Sequence, residues 1–128
     1  MSSVPLTQAL EVAKEVLAIE SAAIQSLTQR IDGSFQESVV AILNCTGRLV
    51  ISGVGKSGHI ARKIAATFAS TGTPAFFVHA GEAGHGDLGM ITASDVLIAI
   101  SNSGESDEVV SLVGFARRFG ATVIAMTG

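Results

Sequence analysis

Residues 49–58 read LVISGVGKSG, an apolar run followed by a segment with three glycines, two serines and a lysine. The run Leu49-Val50-Ile51 does not alternate with polar residues, which is typical of a strand buried on both faces of a parallel sheet. After Gly58 the apolar residues take helical spacing. A buried strand, a glycine-rich turn and a helix in this order indicate an α/β fold.

This order recurs further along the chain. Three more strands are predicted at Ala75–Val78, Val96–Ile100 and Thr122–Met126. Helical patterns follow two of the four strands, the one at Leu49 and the one at Val96. We therefore predict an α/β protein with an open parallel sheet flanked by helices, a three-layer sandwich of the flavodoxin or Rossmann kind. Ligands on such sheets bind beyond the carboxyl ends of the strands. Only Thr127 and Gly128 follow the fourth strand, so we expect a closing helix and further strands in a complete domain.

Two helices are predicted ahead of the first strand. Apolar residues at three- and four-residue spacing mark a long amphipathic helix from Leu6 to Ile31, which Asp32-Gly33 ends. Ser34–Glu37 has the S-x-x-E form of a capping box and begins a second helix that stops near Gly47. The first helix either covers its own sheet or packs on a partner subunit, and its apolar face favours self-association as a dimer or tetramer.

Composition excludes several classes of protein. The chain has 128 residues, is 48% hydrophobic and 15% charged, and carries a net charge of −3. The chain is too apolar to be disordered, and it lacks the apolar run of about 20 residues that a membrane helix needs. Its negative charge argues against nucleic-acid binding, because nucleic-acid-binding proteins are typically basic. The single Cys45 and an acidic N-terminus without signal-peptide features favour a cytoplasmic protein. Within one domain we separate a helical segment, 1–47, from a first α/β part, 48–128.

The turn Gly53–Gly58 has the G-x-G-x-x-G spacing of a dinucleotide site. Such a site needs an acid about 20 residues on, at the end of the second strand, but that strand ends in Val78-His79. A P-loop would need a glycine where Val50 stands. A tight turn explains the glycines but not the lysine, so we favour an anion site at the helix N-terminus. The groups predicted to bind the anion are the backbone of Gly55, the ammonium of Lys56 and the hydroxyl of Ser57.

A serine-rich turn follows the third strand and leads into another helix. Hydroxyls and free helix amides together bind a phosphate dianion. The residues concerned are Ser101, Asn102, Ser103, Gly104 and Ser106. One serine, Ser103 or Ser106, is expected to cap the helix, but three serines in six residues exceed what a cap requires. Of the acids that open the helix, Glu108 is the candidate general base beside a bound phosphosugar.

A glycine-rich loop after the second strand carries four polar groups that favour an active site. They are His79, Glu82, His85 and Asp87. Histidine titrates near neutrality and can move protons or bind a metal. A zinc site is an alternative, although closed zinc sites usually show histidine or cysteine pairs at closer spacing.

Together these motifs resemble the SIS (sugar isomerase) domain family. Gly53–His59 and Ser101–Ser106 look like its two sugar-phosphate loops. Phe68–Pro74 and His79–Met90 are similar to the D-arabinose-5-phosphate isomerases, which supply the precursor of the octulosonic acid of bacterial lipopolysaccharide or capsule. The similarity covers nearly the whole chain, from about residue 10 to residue 128.

The resemblance implies interconversion of D-ribulose 5-phosphate and D-arabinose 5-phosphate through an enediolate, with no required cofactor. It implies catalytic roles for Lys56, Glu108 and His85. It implies that His79 can take a divalent metal such as zinc, with inhibition among the expected effects. The positions that it places against the substrate are Gly55, Ser57, Gly72, Thr73, His85, Ser101, Asn102, Ser103, Gly104 and Ser106.

The family also contributes an acid and a histidine from beyond Gly128 and, in many members, a pair of CBS domains. Three alternatives to an isomerase stay open. The first is a non-catalytic SIS module that binds a phosphosugar and regulates another process, which would not need the histidine loop. The others are a nicotinamide-dependent oxidoreductase built on Gly53–Gly58 and a purely structural role in oligomer assembly.

Overall fold

The computed structural model describes residues 5–83 and 86–128, apart from the side chain of Asp87. It divides into two compact units, of which the first ends at Glu37 and the second spans Ser38–Gly128. Among the described residues, no helix has the length and apolar character needed to span a membrane.

The first unit begins with α1, Leu6–Ser26, which passes into a 3-10 turn at Leu27–Arg30. The predicted helix to Ile31 therefore tightens in its last turn, as helix ends commonly do. All residues of α1 belong to the described part of the chain, and none is buried. Its apolar side chains remain accessible, among them Leu10 at 62%, Leu17 at 65% and Ile24 at 69% exposure.

The second helix, α2, spans Gly33–Leu43 and begins one residue before the predicted capping box. The carboxylate of Asp32 accepts a hydrogen bond of 3.0 Å from the backbone N–H of Ser34. Asp32, and not Ser34, thus occupies the N-cap position, because an aspartate directly before the first helical residue can reach the second free amide.

Four strands in the described part of the chain form one parallel sheet, which confirms the predicted fold class. They are β1 (Leu49–Gly53), β2 (Ala75–His79), β3 (Val96–Ser101) and β4 (Thr122–Thr127), arranged in the order β2-β1-β3-β4. Helix α3 (Gly55–Ser70) joins β1 to β2, and α4 (Asp107–Arg118) joins β3 to β4.

Alternate residues of the central strands pack into two different cores. Val50, Leu97 and Ala99 lie with α4 and with the segment after β2. Leu49 and Ile51 lie with α3 on the other face. Both faces of the sheet are therefore covered, as the uninterrupted apolar runs of β1 and β3 predict.

The strand order places the two turns that were predicted to bind an anion side by side. The chain moves from β1 to β2 in one direction and from β3 to β4 in the other, so the order reverses between β1 and β3. Open α/β sheets bind ligands at the carboxyl ends of the strands beside such a reversal. The turns after Gly53 and Ser101 lie on the two sides of this point.

Candidate functional site

The glycine-rich turn after β1 is closed by backbone contacts. A Cβ added to Gly53 would lie 2.9 Å from the carbonyl carbon of Ser57, and one added to Gly58 would lie 3.1 Å from the carbonyl oxygen of Gly53. Gly55 has a φ of +58°, which favours glycine. Close packing and backbone conformation thus explain these three glycines without a ligand.

Lys56 and Ser57 are the side chains of this turn that remain for chemistry. Both lie in the first turn of α3, because the helix begins at Gly55 and not after Gly58. Lys56 is exposed and Ser57 is half-buried. Among the side chains that the structure describes, an ion pair is found only between Lys14 and Glu11, so none of their carboxylates neutralises the Lys56 ammonium.

The serine-rich turn after β3 is closed by side-chain hydrogen bonds. The hydroxyl of Ser101, which is 7% exposed, accepts a bond of 3.1 Å from the N–H of Gly104. The exposed hydroxyl of Ser103 accepts one of 3.0 Å from the N–H of Glu105. A hydroxyl that accepts a bond still has its own proton to donate, so both serines retain a donor for an anion.

Gly104 and Asn102 shape the same turn through the backbone. Gly104 has a φ of +70°, which a side chain would strain. The carbonyl oxygen of Asn102 accepts a bond of 2.9 Å from the N–H of Gly128. The turn is thereby attached to the end of the neighbouring strand, β4.

The predicted capping serine is not found. Ser106 occupies the N-cap position of α4, but its side chain makes no capping hydrogen bond. The hydroxyl of Ser103 bonds to Glu105, which precedes the helix. The hydroxyl of Ser106 instead lies 3.2 Å from Oε2 of Glu108. The first amides of α4 therefore receive no side-chain cap from its N-cap serine, which leaves donors for an anion at this end.

A cleft of about 330 Å³ opens beside the start of α4. Small residues of the segment after β2 form one wall and the first two turns of α4 form the other. Its lining consists of Ala80, Gly81, Ala83, Leu88, Asp107, Glu108, Ser111 and Leu112. The cleft therefore joins the predicted base Glu108 to the loop that follows His79.

Two polar residues of this cleft were missed by the sequence reasoning. Asp107 carries a second carboxylate into the lining, and its position at the helix start suggested only an interaction with the helix dipole. Ser111 lies three residues after Glu108, a spacing that puts two side chains on the same helix face. That spacing is the signal from which Ser111 could have been found.

The structure brings some of the predicted groups together and leaves others apart. Glu108 lines the cleft, whereas Lys56, Ser57 and Ser103 do not. A second, smaller cavity of about 170 Å³ lies behind the serine-rich turn. Of the predicted residues, Ser101 and Gly104 line it, among mostly apolar neighbours from β3, α4 and β4.

Gly72 and Thr73 lie at the amino-terminal ends of the strands, whereas Lys56 lies at the carboxyl ends. They follow α3 and precede β2, whose first residue Ala75 is paired with Leu49 at the start of β1. A five-residue strand spans about 13 Å, and the turn Gly53–Gly58 that carries Lys56 lies at its other end. Gly72 has a φ of +100° and ends α3, as its position suggests. A single chain does not bring Gly72 and Thr73 to Glu108, and their contact with a substrate stays a prediction.

His79 ends β2 and is half-buried. Its Nδ1 accepts a hydrogen bond of 3.1 Å from the N–H of Gly81, and its ring meets Phe77 edge to face. A metal at Nδ1 would displace this bond, and one at Nε2 would require the other tautomer of the neutral ring, which lacks this acceptor. The described side chains, which leave out those of His85 and Asp87, form no cluster of three ligating groups, and a metal at His79 stays a prediction.

Of the remaining polar groups of the histidine loop, the structure describes the side chain of Glu82 but not those of His85 and Asp87. Glu82 is exposed, and its N–H donates a bond of 3.0 Å to the carbonyl oxygen of His79. His85, predicted to act in catalysis and substrate binding, lies outside the described residues. Its role stays a prediction.

Comparison with known proteins gives one family and a consistent set of relatives. The model of the SIS domain matches residues 42–128. The chain is 56% identical over 115 residues to "Arabinose 5-phosphate isomerase KdsD" of Salmonella typhi, and 54% identical over 115 residues to "Arabinose 5-phosphate isomerase KpsF" of Escherichia coli O6:H1. These matches cover 90% and 89% of the chain.

A solved structure, "E. coli CFT073 c3406 in complex with A5P", is similar with a TM-score of 0.90 and 43% sequence identity. The match covers 97% of this chain and 66% of that one. The chain spans 35% of the length of the curated relatives, about a third of each.

Proposed function

The chain belongs to the SIS domain family, and on that premise we propose that it forms part of an isomerase that interconverts D-ribulose 5-phosphate and D-arabinose 5-phosphate. The names of the KdsD and KpsF relatives and the A5P in the related structure support this reaction. The observation that carries the proposal is the cleft in which Glu108 lies next to the serine-rich turn. The product would supply the octulosonic acid of lipopolysaccharide or capsule.

An aldose–ketose exchange moves one proton between neighbouring carbons and another between neighbouring oxygens. A base removes the proton from the carbon beside the carbonyl, which leaves an enediolate, and a proton then returns to the other carbon. Glu108 serves as an acid–base group for this transfer. The Lys56 ammonium stabilises the negative charge on the enediolate oxygen. His85 assists the proton transfer between the oxygens.

The phosphate supplies the binding energy that positions the reacting end. Ser101 and Ser103 each retain a hydroxyl proton after their bonds within the turn. Together with the first amides of α4, these hydroxyls donate to the phosphate oxygens. The sugar then extends from the turn towards the cleft at Glu108.

Glu108→Gln in the complete gene product tests the proposed base. The amide keeps the size of the side chain but cannot accept a proton, so kcat should fall by roughly 10²–10⁴. Formation of arabinose 5-phosphate from ribulose 5-phosphate, followed by NMR, measures the rate. Glu105→Gln is the matched control, because Glu105 lies three residues earlier and outside the cleft lining. Equal rates in the two variants would remove Glu108 from the reaction.

A non-catalytic phosphosugar-binding module is the second candidate. The observation in its favour is that Lys56 does not line the cleft that contains Glu108. A regulatory module needs the phosphate site but no turnover. If the complete wild-type protein binds ribulose 5-phosphate in calorimetry and leaves it unchanged after prolonged incubation, this candidate replaces the isomerase.

We also propose that the protein self-associates through α1. Apolar side chains such as Leu10, Leu17 and Ile24 are exposed along this helix, and a large exposed apolar surface commonly marks an interface. A second copy is also the route by which Gly72 and Thr73 could reach a substrate at Glu108. Light scattering should give a dimer or tetramer.

Leu17→Glu tests this interface and should lower the oligomer mass. Lys14→Glu is the control, since Lys14 is already charged and exposed. A wild-type monomer, or an unchanged mass for Leu17→Glu, would contradict self-association through α1.

A further inference from the structure

Ser106 stands out from the other serines of the turn in what its hydroxyl does. It is half-buried and takes the extended N-cap conformation before α4, with a φ of −60° and a ψ of 120°. Its carbonyl oxygen accepts the first helical bond, of 2.9 Å from the N–H of Val110. Its side chain contributes no capping bond. Helix stability therefore does not explain the orientation of the hydroxyl.

The hydroxyl of Ser106 is directed to a carboxylate. Its Oγ lies 3.2 Å from Oε2 of Glu108. An ionised carboxylate only accepts hydrogen bonds, so the serine must be the donor. A serine has a single hydroxyl proton, and in this structure that proton is directed to Glu108. Ser101 and Ser103 differ, because each accepts a backbone N–H and keeps its own proton for another partner.

An exposed carboxylate such as that of Glu108 depends on a hydrogen-bond donor to keep one conformation, because packing restricts an exposed side chain little. It is exposed, and Glu105 and Asp107 bring two more carboxylates close to it along the chain. A free glutamate loses considerable rotamer entropy when it is held in one position. A base must nevertheless lie within hydrogen-bond reach of the proton that it removes. A donor two residues away on the same turn restricts the side chain without blocking Oε1.

We infer that Ser106 is a positioning residue that holds the Glu108 carboxylate at the cleft, rather than only a ligand of the substrate phosphate. The inference rests on the proposed function, in which Glu108 is the acid–base group. The phosphate is then held by Ser101, Ser103 and the helix amides. The two roles make different kinetic predictions, because the loss of one phosphate ligand raises KM more than it lowers kcat, whereas a misplaced base lowers kcat without raising KM.

Kinetics of Ser106→Ala, Ser106→Thr and Ser103→Ala in the complete gene product test this assignment. We expect kcat of Ser106→Ala to fall by about tenfold, the effect of losing one hydrogen bond to a charged group. Ser106→Thr keeps the hydroxyl and should restore kcat to within about threefold of wild type. Ser103→Ala removes a hydroxyl of the same turn that does not contact Glu108, and it should raise KM with little change in kcat. A kcat of Ser106→Ala within about twofold of wild type would overturn the inference, whatever happens to KM.

A crystal structure of Ser106→Ala decides the question if the wild-type protein has no isomerase activity. In that case the proposed function fails, but the position of Glu108 can still be compared between variant and wild type. We expect the Glu108 side chain to leave its place beside residue 106 in the alanine variant and to keep it in Ser106→Thr. An unchanged Glu108 conformation in Ser106→Ala would overturn the positioning role.

Discussion

The two turns that lead from β1 and β3 into their helices occupy equivalent places in the fold but are built differently. The turn Gly53–Gly58 is closed by backbone packing, since a Cβ added to Gly53 would lie 2.9 Å from the carbonyl carbon of Ser57. The turn Ser101–Ser106 is closed by hydroxyls that bond to backbone amides and to a carboxylate. The first turn thus separates its structural groups from its chemical groups. In the second, the side chains that close the turn are also the proposed phosphate ligands.

Lys56→Ala tests the first turn at its chemical group. The glycines form the turn without Lys56, so the exposed lysine can be removed without a loss of packing. If the ammonium stabilises the enediolate, kcat should fall by about 10²–10³, as for other oxyanion donors. Steady-state kinetics with ribulose 5-phosphate measure this change. Lys63→Ala, two helical turns further along α3, is the control and should keep the wild-type rate.

Unchanged turnover in Lys56→Ala would mean that the first turn is only structural. Its lysine would then be as dispensable as a surface cation. Of the two turns, only the serine-rich turn would then take part in the reaction.

Gly53→Ala tests the same turn at its structural group. The new Cβ would lie 2.9 Å from the carbonyl carbon of Ser57, which belongs to the backbone and cannot rotate away. Overpacking of this kind lowers the free energy of unfolding by about 1–3 kcal/mol. Urea denaturation of the complete protein measures the change.

Gly114→Ala is the matched control for this substitution. A Cβ at Gly114 would meet no atom within 4 Å, and alanine is a better helix former than glycine. It should raise the free energy of unfolding by up to about 1 kcal/mol. A loss of stability in both variants would show that the close approach at Gly53 has no special effect.

The same contrast explains which features of the fold were predictable from sequence. The uninterrupted apolar runs at Leu49 and Val96 predict buried parallel strands, and these are found within one residue of the expected start. Gly72 and Gly120 each follow a helix with positive φ, as C-terminal glycines should. Periodicity and backbone conformation are local properties, so a single sequence carries them.

Properties that depend on competing partners were less predictable. Ser106 was expected to be able to cap α4, but Glu108 takes its hydroxyl, and only the side-chain geometry reveals that choice. Asp32 likewise takes the cap that the S-x-x-E pattern assigned to Ser34. The distance of Gly72 from Glu108 follows from the direction of α3, which brings the chain back to the opposite edge of the sheet.

Ser101→Ala tests whether the second turn really combines structure and chemistry in one side chain. Loss of the hydroxyl removes the acceptor of the Gly104 N–H, which should lower the free energy of unfolding by about 1 kcal/mol. It also removes a phosphate donor, so KM for ribulose 5-phosphate should rise by about tenfold at an unchanged kcat. Ser52→Ala is the matched control, since its buried hydroxyl donates to the carbonyl oxygen of Val78 in β2 and not to the serine-rich turn. That variant should lose stability and keep its KM. If Ser101→Ala, like Ser52→Ala, loses stability but keeps the wild-type KM, the Ser101 hydroxyl closes the turn without holding the substrate. The two turns then differ only in the interactions that fix their backbones.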